Sequence, residues 1–180
     1  MVAKPEDLSA FLRQLGIETL TVDHPPLFTV EQSQALRGEI PGAHVKNLFL
    51  KDKKGALFLV VAREDAAIDL KHLHRKIGAT GRLSFASADL LLETLGVTPG
   101  AVTAFGLIND GDGRVSVVLD EGLMASDRIN CHPLLNTATT MIATADLLAF
   151  IEATGHLARI VELDEADAAA GLRHGAGDTM

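Results

Sequence analysis

A chain of 180 residues, 47% hydrophobic and 22% charged, fits one domain able to bury roughly 70% of its unfolded surface. Its formal net charge of −8 argues against a general nucleic-acid binder, and no apolar run approaches the ~20 residues of a membrane span. The single cysteine, Cys131, excludes an internal disulfide and a multi-thiolate metal site. Glu6, Asp7, Glu18 and Asp23 interrupt the first stretch of chain, so no secretory leader is expected and the expected compartment is the cytoplasm.

Pro5-Glu6-Asp7 ahead of an apolar face of Leu8, Phe11, Leu12 and Leu15 predicts a helix that stops at Gly16. TLTVDH (19–24) alternates as a strand and ends at Pro25-Pro26. Glu31 to Leu36 predicts a short helix. HVKNLFLKD (44–52) and ALFLVVA (56–62) flank Lys53-Lys54-Gly55 and predict a hairpin. AIDLKHLHRKIG (67–78) has helical spacing with Gly78 as its C-cap, and Ser87 caps a helix ADLLLETL that Gly96 ends. AVTAFGLI (101–108) and RVSVVLD (114–120) are expected to form a second hairpin across Asn109–Gly113. Two short strands follow, at 127–133 and 136–142, and then a helix capped by Thr144. From about Asp164 the chain becomes rich in Ala, Asp and Gly, so residues 1–163 are expected to form the domain and 164–180 a frayed tail. About seven strands, linked mostly by hairpins, and five helices predict a mixed α/β (α+β) fold with a mainly antiparallel sheet and packed helices.

Charge is unevenly spread. Residues 44–82 hold nine Lys and Arg against four Asp and Glu, a local +5, whereas residues 1–43 carry −3 and residues 83–180 carry −10. The basic segment is either a solvated face or a docking face for a polyanion. With no Trp and no Tyr, any stacking surface rests on seven Phe and seven His.

Most familiar site patterns fail on spacing. Asn109–Gly113 resembles a calcium loop but has Arg114 where glycine is needed. His72 and His74 point in different directions on a helix and are expected at the surface. Cys131 and His132 face opposite sides of a strand, so they cannot pair as nucleophile and base, and Cys131 is expected to be a small buried residue. Two features remain. Lys46 heads the face of Leu48 and Leu50, either as an edge charge or as a cation aimed into a pocket, with Asn47 on the other face. Pro99-Gly100 is either a plain tight turn or a type II turn that exposes backbone N–H groups to a ligand.

Five blocks in register carry a resemblance: HPPLFTVEQS (24–33), IPGAHVKNLFLKDKKG (40–55), GVTPGAVTAFGLIND (96–110), VSVVLDEGL (115–123) and CHPLLNTATTMI (131–142). Together they resemble the bacterial prolyl-tRNA editing proteins, the freestanding ProX-type members of the YbaK and prolyl-tRNA synthetase insertion-domain superfamily. The resemblance implies a strongly curved mixed sheet surrounded by helices, and hydrolysis of alanine wrongly attached to proline tRNA. It places the family's lysine on Lys46 and its asparagine on Asn47. Its Gly-x-x-x-Pro loop falls on Gly100, Ala101, Val102, Thr103 and Ala104, with Ala104 replacing the usual proline. Its histidine falls on His132, with Cys131 replacing a common phenylalanine. Lys46, Gly100 and His132 are thus the implied catalytic positions, and Asn47, Ala101, Val102 and Ala104 the implied substrate contacts. Lys51, Lys53 and Lys54 are candidates for tRNA docking within the basic segment.

No metal or cofactor is implied. The implied partner is the acceptor end of mischarged proline tRNA, with prolyl-tRNA synthetase as a further candidate. No membrane partner is expected, and the chain is expected to be monomeric. The alternatives are editing of a Ser or Cys mischarge, or a non-catalytic tRNA-binding module.

Overall fold

A computed structural model describes residues 1–27, 31, 32, 35, 40–166 and 169. Helix α1 (Pro5–Gln14) begins where Asp7 Oδ2 accepts from Lys4 N at 2.8 Å, and it buries Leu8 and Leu12. The expected helix over Glu31–Leu36 lies largely outside the described residues.

Eight strands form the sheet among the described residues: β1 (Thr19–Asp23), β2 (Ala43–Lys51), β3 (Leu57–Arg63), β4 (Ser84–Phe85), β5 (Val115–Asp120), β6 (Arg128–Cys131), β7 (Ala138–Ala143) and β8 (Ala158–Val161). Their order is β1-β7-β6-β2-β3-β5-β8, with β4 also on β2. The β1–β7, β6–β7, β2–β3 and β2–β4 ladders are antiparallel, and β2–β6, β3–β5 and β5–β8 are parallel. The mixed α/β class expected from the sequence is the one observed.

Both faces of the central strands are covered. Leu57, Leu59 and Val61 of β3 enter the main core with Leu8, Phe105 and Phe150, while Phe58 and Val60 enter a second core with Leu73, Ile77 and Leu163. This two-sided burial explains why β3 is a continuous apolar run. Phe150 packs edge-on against Phe11 and Phe105, with centroids 5.9 and 5.2 Å apart.

Several expectations of local structure need correction. Residues 101–108 are not a strand, and they form no hairpin with β5. Ala104–Asn109 is a 3-10 helix, started by Thr103 Oγ1 accepting from Phe105 N, and Gly106 lets it approach the preceding helix. A Cβ at Gly106 would lie 3.0 Å from Leu95 Cβ. That preceding helix, α3 (Ala88–Leu95), is capped by Ser87 and ended by Gly96 as expected.

The helix expected over 67–78 is shortened to α2 (Leu73–Ile77). Asp69 Oδ1 accepts from Lys71 N at 3.0 Å and Asp69 Oδ2 lies 2.5 Å from His72 Nδ1, while Ala67 N donates to Asp164. These side-chain bonds replace the first helical turn. His72 is exposed, but His74 is half-buried rather than at the surface. Thr144 does not cap the helix it begins. Its hydroxyl donates to Ser126 O, ahead of α5 (Thr144–Ala153); the short α4 (Glu121–Met124) precedes β6.

The packed chain also continues past residue 163. Asp164 is buried, bonds Arg63 Nη2 at 2.9 Å and accepts from Ala67 N and Ala166 N. Residues 167, 168 and 170–180 lie outside the described residues. No helix among the described residues is long and apolar enough to cross a membrane.

Candidate functional site

The site is set by a gap in the sheet. β2 pairs with β6 only at Ala43–Ile129 and His44–Asn130, and meets β4 only at Leu50–Phe85 and Lys51–Ser84. Between these ladders, residues 45–48 have no strand on that edge among the described residues. Lys46 and Asn47 occupy this stretch. Two residues past the last β2–β6 pair stand Lys46 on one segment and His132 on the other, where the strands part.

Period-two alternation divides the two β2 residues. Lys46 is paired with Ala62 on the second-core side, half-buried, and its Nζ donates to Ala66 O. Asn47 is paired with Val61 on the main-core side. Its Oδ1 is enclosed without a hydrogen-bond partner, an orphan acceptor of the kind that native structures rarely leave.

Gly100 sits at φ +92°, and Ala101 N donates to Thr98 O at 3.0 Å. Proline at the second position and a positive φ at the third make Thr98–Ala101 a type II turn, which a non-glycine residue would strain. Closing it engages the Ala101 N–H. The N–H groups of Gly100 and Val102 have no protein acceptor among the described residues. Ala101 and Ala104 are buried behind the turn, and Val102 is half-buried.

His132 Nδ1 lies 3.1 Å from Ala138 O. A carbonyl only accepts, so Nδ1 carries the hydrogen and Nε2 keeps its lone pair. Desolvation pushes the His132 pKa below its ordinary 6.5, against the pull of the Ala138 carbonyl; nearby His24 lowers it further. The ring is therefore neutral at neutral pH. Because the unfolded chain binds this proton at higher pH, the residue costs the fold stability as pH drops below 6.5.

Sequence reasoning did not single out three neighbours. His24 bonds Thr139 Oγ1 at 2.8 Å through Nε2, and its ring centroid lies 6.5 Å from that of His132. Asn136 reaches Gly100, where a Cβ would lie 3.8 Å from its Nδ2. Leu134, between His132 and Asn136, has φ +68°, a conformation few side chains adopt, held by the His132 carbonyl and the main core. All three lie in the resemblance blocks 24–33 and 131–142, which is the one sequence signal they carried.

Cys131 is buried in the main core, and burial pushes its thiol up to about 12. It is expected to resist alkylation by iodoacetamide at mildly alkaline pH and to react once the protein is unfolded. Rapid alkylation of the native protein would contradict this placement.

Lys51, Lys53 and Lys54 are exposed at the far end of β2, about 17 Å along the strand from Lys46 to Lys51. Buried Asp52 organises their turn by accepting from Lys54 N, Ala56 N and Thr80 N, each at 2.9 Å. The Thr80 N–H, chief among these backbone donors, holds the Asp52 carboxyl below its usual range. No group of three or more His, Cys, Asp or Glu among the described residues is placed to hold a metal ion.

Residues 24–150 match the family described as the aminoacyl-tRNA editing domain. The chain is 43% identical to a zebrafish (Danio rerio) prolyl-tRNA synthetase associated domain-containing protein 1, over 88% of this chain and 87% of that one. It is 41% identical to the prolyl-tRNA editing protein ProX of Acetoanaerobium sticklandii, over 86% and 94%. A crystal structure described as a candidate trans-editing enzyme for prolyl tRNA synthetase shares the fold, with a TM-score of 0.66 at 21% identity over 90% and 99% of the chains. The chain therefore belongs to the aminoacyl-tRNA editing domain family. Within it, the chain is ProX-like in sequence and is an aminoacyl-tRNA deacylase.

Proposed function

We propose that this enzyme hydrolyses the ester of alanine wrongly attached to proline tRNA. The observation that carries the reading is the sheet opening at Lys46 and His132, together with a type II turn at Gly100 whose neighbouring N–H groups are free. An aminoacyl ester is already activated, so its hydrolysis needs a positioned water and donors for the developing oxyanion rather than a nucleophilic triad.

In this reading the Gly100 and Val102 N–H groups donate to the ester carbonyl oxygen, with Ala101 and Ala104 as the apolar backing of the loop. His132 accepts a hydrogen bond from water through Nε2. Water oxygen attacks the carbonyl carbon, the ester C–O bond breaks, and the ribose hydroxyl leaves with a proton. Lys46 exchanges a neutral carbonyl partner for the more favourable negative charge of the terminal nucleotide or the oxyanion. Asn47 supplies an amide with an unmet acceptor. Selection of alanine over the larger proline would then be by size, which is a second sieve.

The same reading has a monomer acting in the cytoplasm on the acceptor end of proline tRNA, alongside prolyl-tRNA synthetase and without a cofactor. Deacylation of tRNAs charged with Ala, Ser, Cys or Pro tests it. Free alanine should appear fastest. Preferential release of Ser or Cys would reassign the substrate, and no release from any tRNA would leave only a binding module.

A further inference from the structure

Phenylalanine supplies the whole Phe, Tyr and Trp content of the chain. Phe49, Phe58, Phe105 and Phe150 are buried, and Phe11 packs half-buried against the main core. Phe85 differs from these, being 62% exposed. It lies on β4, whose register sets Phe85 opposite Leu50 and Ser84 opposite Lys51. The pairing puts the ring on the Leu50 face near the end of β2, with the Lys51 side chain alternating to the other face.

The surroundings are fixed and cationic. Lys51, Lys53, Lys54 and Arg82 are all exposed. The Lys53 stem lies against Gly81, where a Cβ would come within 3.2 Å of Lys53 Cδ. Lys53 N donates to Thr80 O, and Asp52 accepts from Thr80 N. The hairpin turn and the segment leading into β4 are thereby one piece. The Asp52 carboxylate is buried and committed to backbone donors, so it offers no acidic partner to these cations.

An exposed ring on a segment that carries exposed cations does not suit an apolar protein partner. It suits a polyanion that also offers flat apolar faces, which describes unpaired nucleotides. We propose that Phe85 is a stacking platform for an unpaired base of the tRNA, with Lys53, Lys54 and Arg82 of the same turn and segment on the adjoining phosphates. The identity of the nucleic acid rests on the editing reading; the platform itself does not require catalysis.

The test uses an uncharged, fluorescently labelled RNA hairpin with a single-stranded 3′ overhang ending in CCA, and the same hairpin blunt-ended, at several salt concentrations. Phe85→Ala and Phe85→Leu should each weaken overhang binding by about tenfold or more, while Phe85→Tyr, which keeps the ring, should bind like the parent. Lys53→Ala and Lys54→Ala should each lower the salt slope by about 0.7 if one phosphate contact is lost. The blunt hairpin should bind weakly and ignore the change at Phe85.

Overhang binding within twofold of the parent for Phe85→Ala would overturn the proposal. So would Phe85→Leu binding as tightly as the parent, or a blunt hairpin equally sensitive to Phe85. If the parent releases no amino acid yet Phe85→Ala loses RNA binding, the editing reading fails and the platform stands. If Phe85→Ala edits actively and binds RNA normally, the platform fails and the editing reading stands.

Discussion

Replacing Lys46 with alanine is expected to reduce kcat/KM for deacylation of Ala-tRNA(Pro) by about 10²- to 10³-fold, the scale for removing one electrostatic group from a hydrolytic site. The fold should survive. Lys46 Nζ donates to one neutral carbonyl, that of Ala66, at the edge of the sheet opening. Losing such a bond costs about 1 kcal/mol. Lys46→Arg should restore little, because a broad planar guanidinium cannot occupy the place of a compact ammonium. Single-turnover deacylation beside thermal unfolding separates the effects. Full activity in Lys46→Ala would remove Lys46 from the mechanism, and a loss that merely tracks unfolding would make it structural.

Asp110→Ala should act in the opposite sense, with its main effect on stability. Asp110 is buried at the end of the 3-10 helix, where Oδ1 accepts from Arg114 N at 3.1 Å and Oδ2 from Val115 N at 2.8 Å. Oδ2 also lies 2.9 Å from His156 Nε2, and His156 Nδ1 lies 2.9 Å from Thr154 Oγ1. One carboxylate thus joins the 3-10 helix, the start of β5 and the end of α5. The alanine would leave these donors buried and unmet, a cost of about 3–5 kcal/mol. Tm should fall by roughly 10 °C. A change below about 1 kcal/mol in urea unfolding would show that water replaces the carboxylate and that the junction is not cooperative.

The Asp110 junction also shows where local reasoning stops. Asn109–Gly113 has the composition of a hairpin turn, but its aspartate reaches His156, a residue distant in the chain. Residues 101–108 have strand length and strand-like residues. The contacts that make them a 3-10 helix, the Thr103 cap and the close approach of Gly106 to Leu95, depend on α3 being packed nearby. The first turn expected at 67–72 is likewise lost to Asp69 and to the distant Asp164. By contrast, the β2–β3 hairpin and the capped α3 were legible, because their signals lie within a few residues of each other.

The candidate site divides in the same way. Alternation alone set Lys46 and Asn47 on opposite faces, and Pro99-Gly100 allowed a type II turn. The parting of β2 from β6 comes from pairing between distant strands, as does the meeting of Gly100 with Asn136. The type II turn that Pro99-Gly100 allows also occupies the Ala101 N–H locally, whereas the lack of an acceptor for the Gly100 and Val102 N–H groups depends on what packs around the turn. The local +5 is legible as charge; its exposed ring is not, since Phe85 resembles the buried phenylalanines in sequence.

Single-turnover hydrolysis of proline tRNA carrying alanine, set against the same tRNA carrying proline, tests the central claim most directly. Rapid loss of alanine with proline spared is the expected result. Equal loss of both, or none of either, would contradict it.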